Sequence, residues 1–289
     1  MLTPRTRYWS TRGERQRIKG RELFVFRAGG EGLPLLFLHG FPSSSYDWRL
    51  VLERFPGRPA IAADFLGFGL SDKPRDHLYT LAWQADAIEE IAAGAGPLYV
   101  VAHDMGTSVA TELFAREIKG RGRLEIAGAL LFNGSILLHR ASPTISQKIL
   151  RSPAGPLLAR VSNPVAFKRQ FARIFSPAHP LTAEEADDQW SLLAERGGHR
   201  LLHRTIHYMD ERERYTDRWH GAIRDWPGTL RFAWALRDPV ATTAVLDGLR
   251  ELRPAAPVTE LPDAGHYPQI EQPELIAAAI ADGLAAAER

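Results

Sequence analysis

The sequence contains no cysteine. This excludes a disulfide scaffold, a thiolate nucleophile, a zinc–thiolate site and an iron–sulfur cluster. Long apolar runs are missing too. Nothing approaches the ~18 residues a membrane helix needs, and the stretch IAAAIADGLAAA is interrupted by Asp282. The opening MLTPRTRYWS lacks the apolar core of a secretory signal, so a soluble, cytoplasmic protein is expected. A large charge excess is also absent, the net charge being +2. Positive charge collects in residues 1–27, where eight basic side chains face only Glu14 and Glu22. This segment reads as a solvated leading strand and loop rather than a membrane-surface patch, because no amphipathic helix is expected there. No basic helical stripe with interleaved aromatics occurs, so nucleic acid is not an expected partner.

The chain has 289 residues, 45% of them hydrophobic, which is enough to bury a sizeable core. Apolar runs bounded by turn residues lie near 22–27, 34–38, 59–63, 97–102, 126–132, 230–236 and 257–261. Helical patterns fall near 44–54, 79–93, 106–118, 241–252 and 273–287. Such alternation predicts an α/β fold, a mostly parallel sheet with helices on both faces. No strand-like run occurs over 135–226, and prolines divide that stretch into short helices. It is expected to be a helical lid inserted between core segments 1–134 and 227–289, over the strand ends where ligands bind.

The most informative stretch is PLYVVAHDMGTSVATEL. A buried strand runs into Ala102-His103-Asp104-Met105-Gly106, and a helix follows. This has the shape of a G-x-S-x-G nucleophile elbow with Asp104 in the Ser position. An aspartate there stays ionised beside the helix N-terminus and acts as a nucleophile. Upstream, His39-Gly40-Phe41-Pro42 follows a second buried strand, in the place of an oxyanion loop. The N–H groups of Phe41 and Met105 are the expected oxyanion donors. Downstream, Arg237-Asp238-Pro239 ends a strand and offers Asp238 as the acid, and LPDAGHYPQ offers His266 as the base. Nucleophile, acid and histidine stand in the chain order of an α/β-hydrolase triad. His39, Gly40, Pro42, His103 and Tyr267 flank these positions and are expected to line the pocket. His199, His203 and His207 recur every four residues, but without a carboxylate partner they read as surface residues, so no metal is expected. The loop ADFLGFGLSDKP lacks the pattern of a phosphate-binding loop, and no cofactor is expected.

The segments HGFPSSSYDW, ADFLGFGLSDKP, AHDMGTSVATEL, LFNGS, HYMDERERYTDRWHGAI and GHYPQIEQP resemble the mesoderm-specific transcript family of α/β-hydrolases. The likeness covers nearly the whole chain. It implies the α/β-hydrolase fold with an inserted helical lid, and a relation to epoxide hydrolases and haloalkane dehalogenases. Met105 and Thr107 depart from the vertebrate pattern H-D-Y-G-D at the elbow.

An aspartate nucleophile suits attack on an sp³ carbon, giving an alkyl-enzyme ester that water then hydrolyses at the Asp104 carboxyl carbon. Dehalogenases bind the leaving halide with a Trp and an Asn whose positions resemble Met105 and Phe41 here, so both side-chain donors are missing. Epoxide hydrolases place two tyrosines in the lid as neutral O–H donors. Tyr208 resembles one of them, and Tyr215, seven residues on, is a possible substitute. Packing within the lid is an equally weighted reading for both. Epoxide hydrolysis to a diol is thus the leading expectation. Dehalogenation, ester or lactone hydrolysis, and a non-catalytic lipid-binding or interaction module are the alternatives. The expected partner is a small apolar-to-amphipathic substrate, with the protein a monomer or homodimer.

Overall fold

The computed structural model describes residues 1–289. Its sheet has eight strands: β1 (Gly13–Ile18), β2 (Arg21–Ala28), β3 (Leu35–Leu38), β4 (Ala60–Ala63), β5 (Leu98–His103), β6 (Ile126–Phe132), β7 (Thr229–Ala235) and β8 (Val258–Leu261). The spatial order is β1-β2-β4-β3-β5-β6-β7-β8. The β1–β2 and β2–β4 pairs are antiparallel and the other five are parallel. The order reverses between β3 and β5, so their ends open into one crevice where a ligand can sit.

The central strands are apolar along their length because both faces are covered. Leu36 and Leu38 of β3 point into one core with Val100 and Ala102 of β5. Leu35 and Phe37 point into the opposite core with Tyr99 and Val101. This strict alternation fixes the register, since a one-residue slip would exchange the two layers.

Two features at the N-terminus differ from the sequence-based reading. Strand β1, GERQRI, has too little apolar content to stand out, and it is held at the sheet edge by antiparallel pairing with β2. A short helix, Pro4–Ser10, does accompany the basic segment, capped by the Thr3 side chain and with Pro at its first turn. It buries Trp9, stacked 5.0 Å from Phe26. Arg5 of this helix meets Glu185 and Asp188 of the helix Ala183–Ala194 at 3.1 and 2.5 Å. One basic residue of this segment is therefore consumed in pinning a helix of the 135–226 insertion.

Only helices lie between β6 and β7. The last of them, Thr216–Asp225, lies along the helix Met105–Ile118 on the sheet. Trp219 Nε1 donates to Glu112 at 2.9 Å, and Trp226 stacks on Phe114 at 4.1 Å. This end of the expected lid thus packs as part of the core layer, because its aromatic face has nowhere else to be buried. No helix is long and apolar enough to cross a membrane.

Candidate active site

The elbow positions Asp104. Between β5 and the helix Met105–Ile118 its backbone sits at φ 44°, ψ −111°, a conformation an L-residue adopts only at a cost of order 1–3 kcal/mol. The turn must be tight on both sides. A Cβ on Gly106 would lie 2.3 Å from the Leu38 carbonyl oxygen, and one on Gly40 would lie 2.8 Å from the Asp104 Cβ. Three donors converge on the Asp104 carbonyl and hold the strained residue: Thr107 N at 3.1 Å, Thr107 Oγ1 at 2.6 Å and Arg212 Nη2 at 2.9 Å.

The two carboxylate oxygens of Asp104 have different surroundings. Oδ2 accepts the Phe41 N–H at 2.8 Å. Oδ1 accepts no hydrogen bond from the protein, and its nearest cation is Arg212 Nη2 at 3.7 Å. Oδ1 thus keeps its lone pairs unengaged. The Met105 N–H opens the following helix, where backbone donors have no intrahelical acceptor.

His266 lies in the loop before the helix Pro268–Glu271, and its Nδ1 donates to Asp238 Oδ2 at 2.7 Å. Asp238 follows β7 and is almost fully hydrogen-bonded. Asn133 Nδ2 also donates to Oδ2 at 2.7 Å, and Val240 N and Ala241 N donate to Oδ1 at 2.7 and 3.1 Å. Burial works to raise the Asp238 pKa, but the charge and hydrogen bond of His266, with these donors, hold it below its ordinary value. For His266, burial works downward, and the charge and hydrogen bond of Asp238, then the charge of Asp104, raise it to about 8.

The residues expected to line the pocket divide into two groups. Gly40, Phe41 and Pro42 lie in the loop after β3 that brings the Phe41 N–H to Asp104, with a cis peptide between Phe41 and Pro42. Tyr267 is fully buried, with its hydroxyl donating to the Phe41 carbonyl at 3.3 Å and its ring stacked on Phe175. His39 and His103 have buried rings engaged on both nitrogens. His39 Nδ1 donates to the Gly40 carbonyl at 2.8 Å, and Nε2 accepts from Phe65 N at 2.9 Å. His103 Nε2 donates to the His266 carbonyl at 2.7 Å, and Nδ1 accepts from Gln269 at 3.1 Å. Burial pushes His103 down to about 3, so it stays neutral and ties down the His266 loop.

Of the two lid tyrosines, only Tyr208 reaches the site. It is buried, its ring 5.7 Å from Phe41 and 4.6 Å from the Arg212 guanidinium. Burial, then the negative charge of Asp104, raises its pKa, so the phenol keeps its proton. Tyr215 ends the helix Tyr208–Arg214 at the surface, 36% exposed, against Trp219 and Arg214. Equal helical faces were expected from the seven-residue spacing, but the chain breaks its helix at Tyr215 before the next begins.

Two further residues at the site, Arg212 and Asn133, do not stand out in the sequence. Arg212 sits four residues after Tyr208, fully buried, with Nε on Ser108 Oγ at 2.8 Å and Nη2 on the elbow. In the sequence it is one of several charges in HYMDERERY, and nothing local separates it from the exposed ones. Asn133 was legible in principle. It ends β6 in LFNGS at φ 47°, a position asparagine tolerates, and its side chain joins Ala235 N to Asp238.

The sequence matches the alpha/beta hydrolase family over residues 35–279. It is 52% identical over 281 residues to a Mycobacterium tuberculosis protein named "Putative hydrolase LipZ", covering 96% of this chain and 98% of that one. It is 34% identical over 286 residues to the mouse mesoderm-specific transcript protein, covering 94% and 85%. The structure superposes on the haloalkane dehalogenase DbeA from Bradyrhizobium elkani with a TM-score of 0.81 and 22% identity, over 96% of this chain and 98% of that one. The chain belongs to the alpha/beta hydrolase family, as a hydrolase related to the mesoderm-specific transcript proteins.

Proposed function

We propose that the protein hydrolyses epoxides through an ester on Asp104. The observation that carries this reading is the asymmetry of the Asp104 carboxylate, with Oδ2 held by Phe41 N–H and Oδ1 free. Oδ1 attacks the less hindered epoxide carbon, the carbon–oxygen bond breaks, and Tyr208 O–H takes up the developing alkoxide. Esterification removes the Asp104 charge that helped raise His266, so His266 gives up a proton. That proton balances the alkoxide. Neutral His266 then deprotonates water, which attacks the Asp104 carboxyl carbon. The oxyanion of this step is Oδ2, already in place at the Phe41 N–H. The ester collapses to the diol and the Asp104 carboxylate, and His266 again carries its proton.

Excess enzyme turned over once in ¹⁸O water tests the covalent step. The peptide containing Asp104 should gain two mass units. Turnover that leaves this peptide unlabelled would rule out the ester.

The leaving group is tested at Tyr208. With Phe in its place, epoxide opening should slow ~10²-fold, the size of one lost donor to a developing oxyanion. Unchanged turnover would assign Tyr208 to packing. Arg212 favours a second reading, halide release, because a guanidinium N–H donates to halide as well as to alkoxide. Its Nε and Nη2 are already engaged by Ser108 and Asp104, which weighs for the epoxide. Bromoalkanes and epoxides of matched chain length, compared side by side, separate the two.

A further inference from the structure

We propose that the outer face of the insertion, over residues 145–173, docks the protein on an anionic phospholipid surface. Three consecutive helices build this face: Ile145–Leu150, Gly155–Val161 and Pro164–Ala172. Each turns one side inward, burying Leu150, Ala159 and Phe171 respectively. The opposite sides carry large apolar residues into solvent. Ile145 is 77% exposed, Leu157 65% and Val165 68%, with Ile149 and Val161 also exposed. Ile145 with Ile149, and Leu157 with Val161, are four residues apart and share a helical face. Five of the eleven exposed large hydrophobic residues of the chain fall in this short stretch. A cluster of that kind marks an interaction surface rather than scattered exposure.

Charge selects the occupant. No acidic residue occurs between Glu125 and Glu184, while seven basic residues do. Arg140, Arg151 and Lys168 are taken up by ion pairs with acids elsewhere in the chain. Lys148, Arg160, Arg169 and Arg173 pair with no carboxylate. Arg160 lies beside Val161 and Arg169 one turn beyond Val165, so the free cations interleave with the exposed apolar groups. Apolar side chains that enter the headgroup region, ringed by cations that meet anionic phosphates, fit a bilayer better than a second copy of this face, which would oppose like charges. The inference does not depend on the leaving group hydrolysed at Asp104.

Vesicle flotation with the full chain tests it. Binding to phosphatidylcholine vesicles containing one-third phosphatidylglycerol should be at least about tenfold tighter than to phosphatidylcholine alone, and should weaken at high salt. The combined change Leu157→Ser, Val161→Ser and Val165→Ser should reduce binding about tenfold or more, as should Lys148→Glu with Arg160→Glu and Arg169→Glu. An unchanged melting temperature in both variants shows that folding is intact. A control, Arg7→Glu with Arg15→Glu and Arg17→Glu, should bind like the parent. Loss of binding in that control would move the contact to the N-terminal segment and overturn the proposal. So would an absence of binding to the anionic vesicles, retained binding in both face variants, or a dimer in solution that the serine changes dissociate.

Discussion

With His266 replaced by Gln, the ester on Asp104 should form and persist. An intact-mass adduct of enzyme plus epoxide should build up to one per chain, and its decay should be about 10³-fold slower than in the parent. The reason lies in the division of labour at the site. Alkylation needs Oδ1, the Phe41 N–H and the Tyr208 phenol, and the proton that His266 gives to balance the alkoxide in the parent can be drawn from water in the Gln variant. Hydrolysis needs a base for water, and His266, held by Asp238, is the proposed base. The parent enzyme carries a matching pH signature. In the free enzyme His266 titrates at about 8, so at neutral pH it is mostly the imidazolium. In the ester the Asp104 charge is gone, the histidine pKa falls, and the neutral base becomes available. Decay of the parent ester should therefore slow as pH drops through a value below 8 and be flat above it. A pH-independent decay, or a Gln variant that never accumulates adduct with a substrate the parent turns over, would remove His266 from the role of base.

Replacement of Arg212 by Met should cost both stability and the first chemical step. Arg212 joins the lid to the elbow through Ser108 Oγ and the Asp104 carbonyl, at 2.8 and 2.9 Å, and it is buried throughout. Removing one partner of a buried charged contact costs about 3–5 kcal/mol, since the groups left behind lose their donor and regain no water. Here the Thr107 donors remain on the Asp104 carbonyl, so a loss near ~3 kcal/mol is expected from thermal unfolding. The larger effect is on alkylation. Without the guanidinium nothing from the lid restrains the strained turn, and misplacing Oδ1 by about 1 Å costs on the order of 10²-fold. Ester decay should change far less, because Oδ2 stays at Phe41. Lysine at 212 keeps the charge but lacks the fork that reaches Ser108 and Asp104 together, so it should restore only part of the rate. Equal losses in both steps, or an alkylation rate within about twofold of the parent, would make Arg212 a packing residue only.

Local pattern was sufficient for much of this molecule. The buried parallel strands are apolar on both faces, so β3, β5 and β6 announce themselves as uninterrupted runs, each followed by a loop at the same edge of the sheet. The elbow is legible for a related reason. Its sharp turn excludes all but small residues at Gly106, and that restriction leaves a recognisable spacing around Asp104. Chain order then singles out Asp238 and His266, which the fold brings into hydrogen bond at 2.7 Å. Long-range packing decided the rest. The polar β1 is a strand only because β2 lies beside it. That His39 and His103 hydrogen-bond to buried backbone groups of neighbouring loops is likewise set by the fold. Tyr208 and Tyr215 are equivalent on a helical wheel, and a helix break sends one against Phe41 and Arg212 and the other to solvent. Arg212 carries the same charge as its exposed neighbours, and only the fold of the insertion over the elbow removes it from water and sets it against Asp104. The absence of cysteine therefore excluded whole chemistries from the sequence alone, and strand-end spacing placed the Asp104 carboxylate at the turn between strand and helix. Which buried charges and phenols surround that carboxylate is a property of contacts between residues more than a hundred positions apart, and no local pattern encodes them.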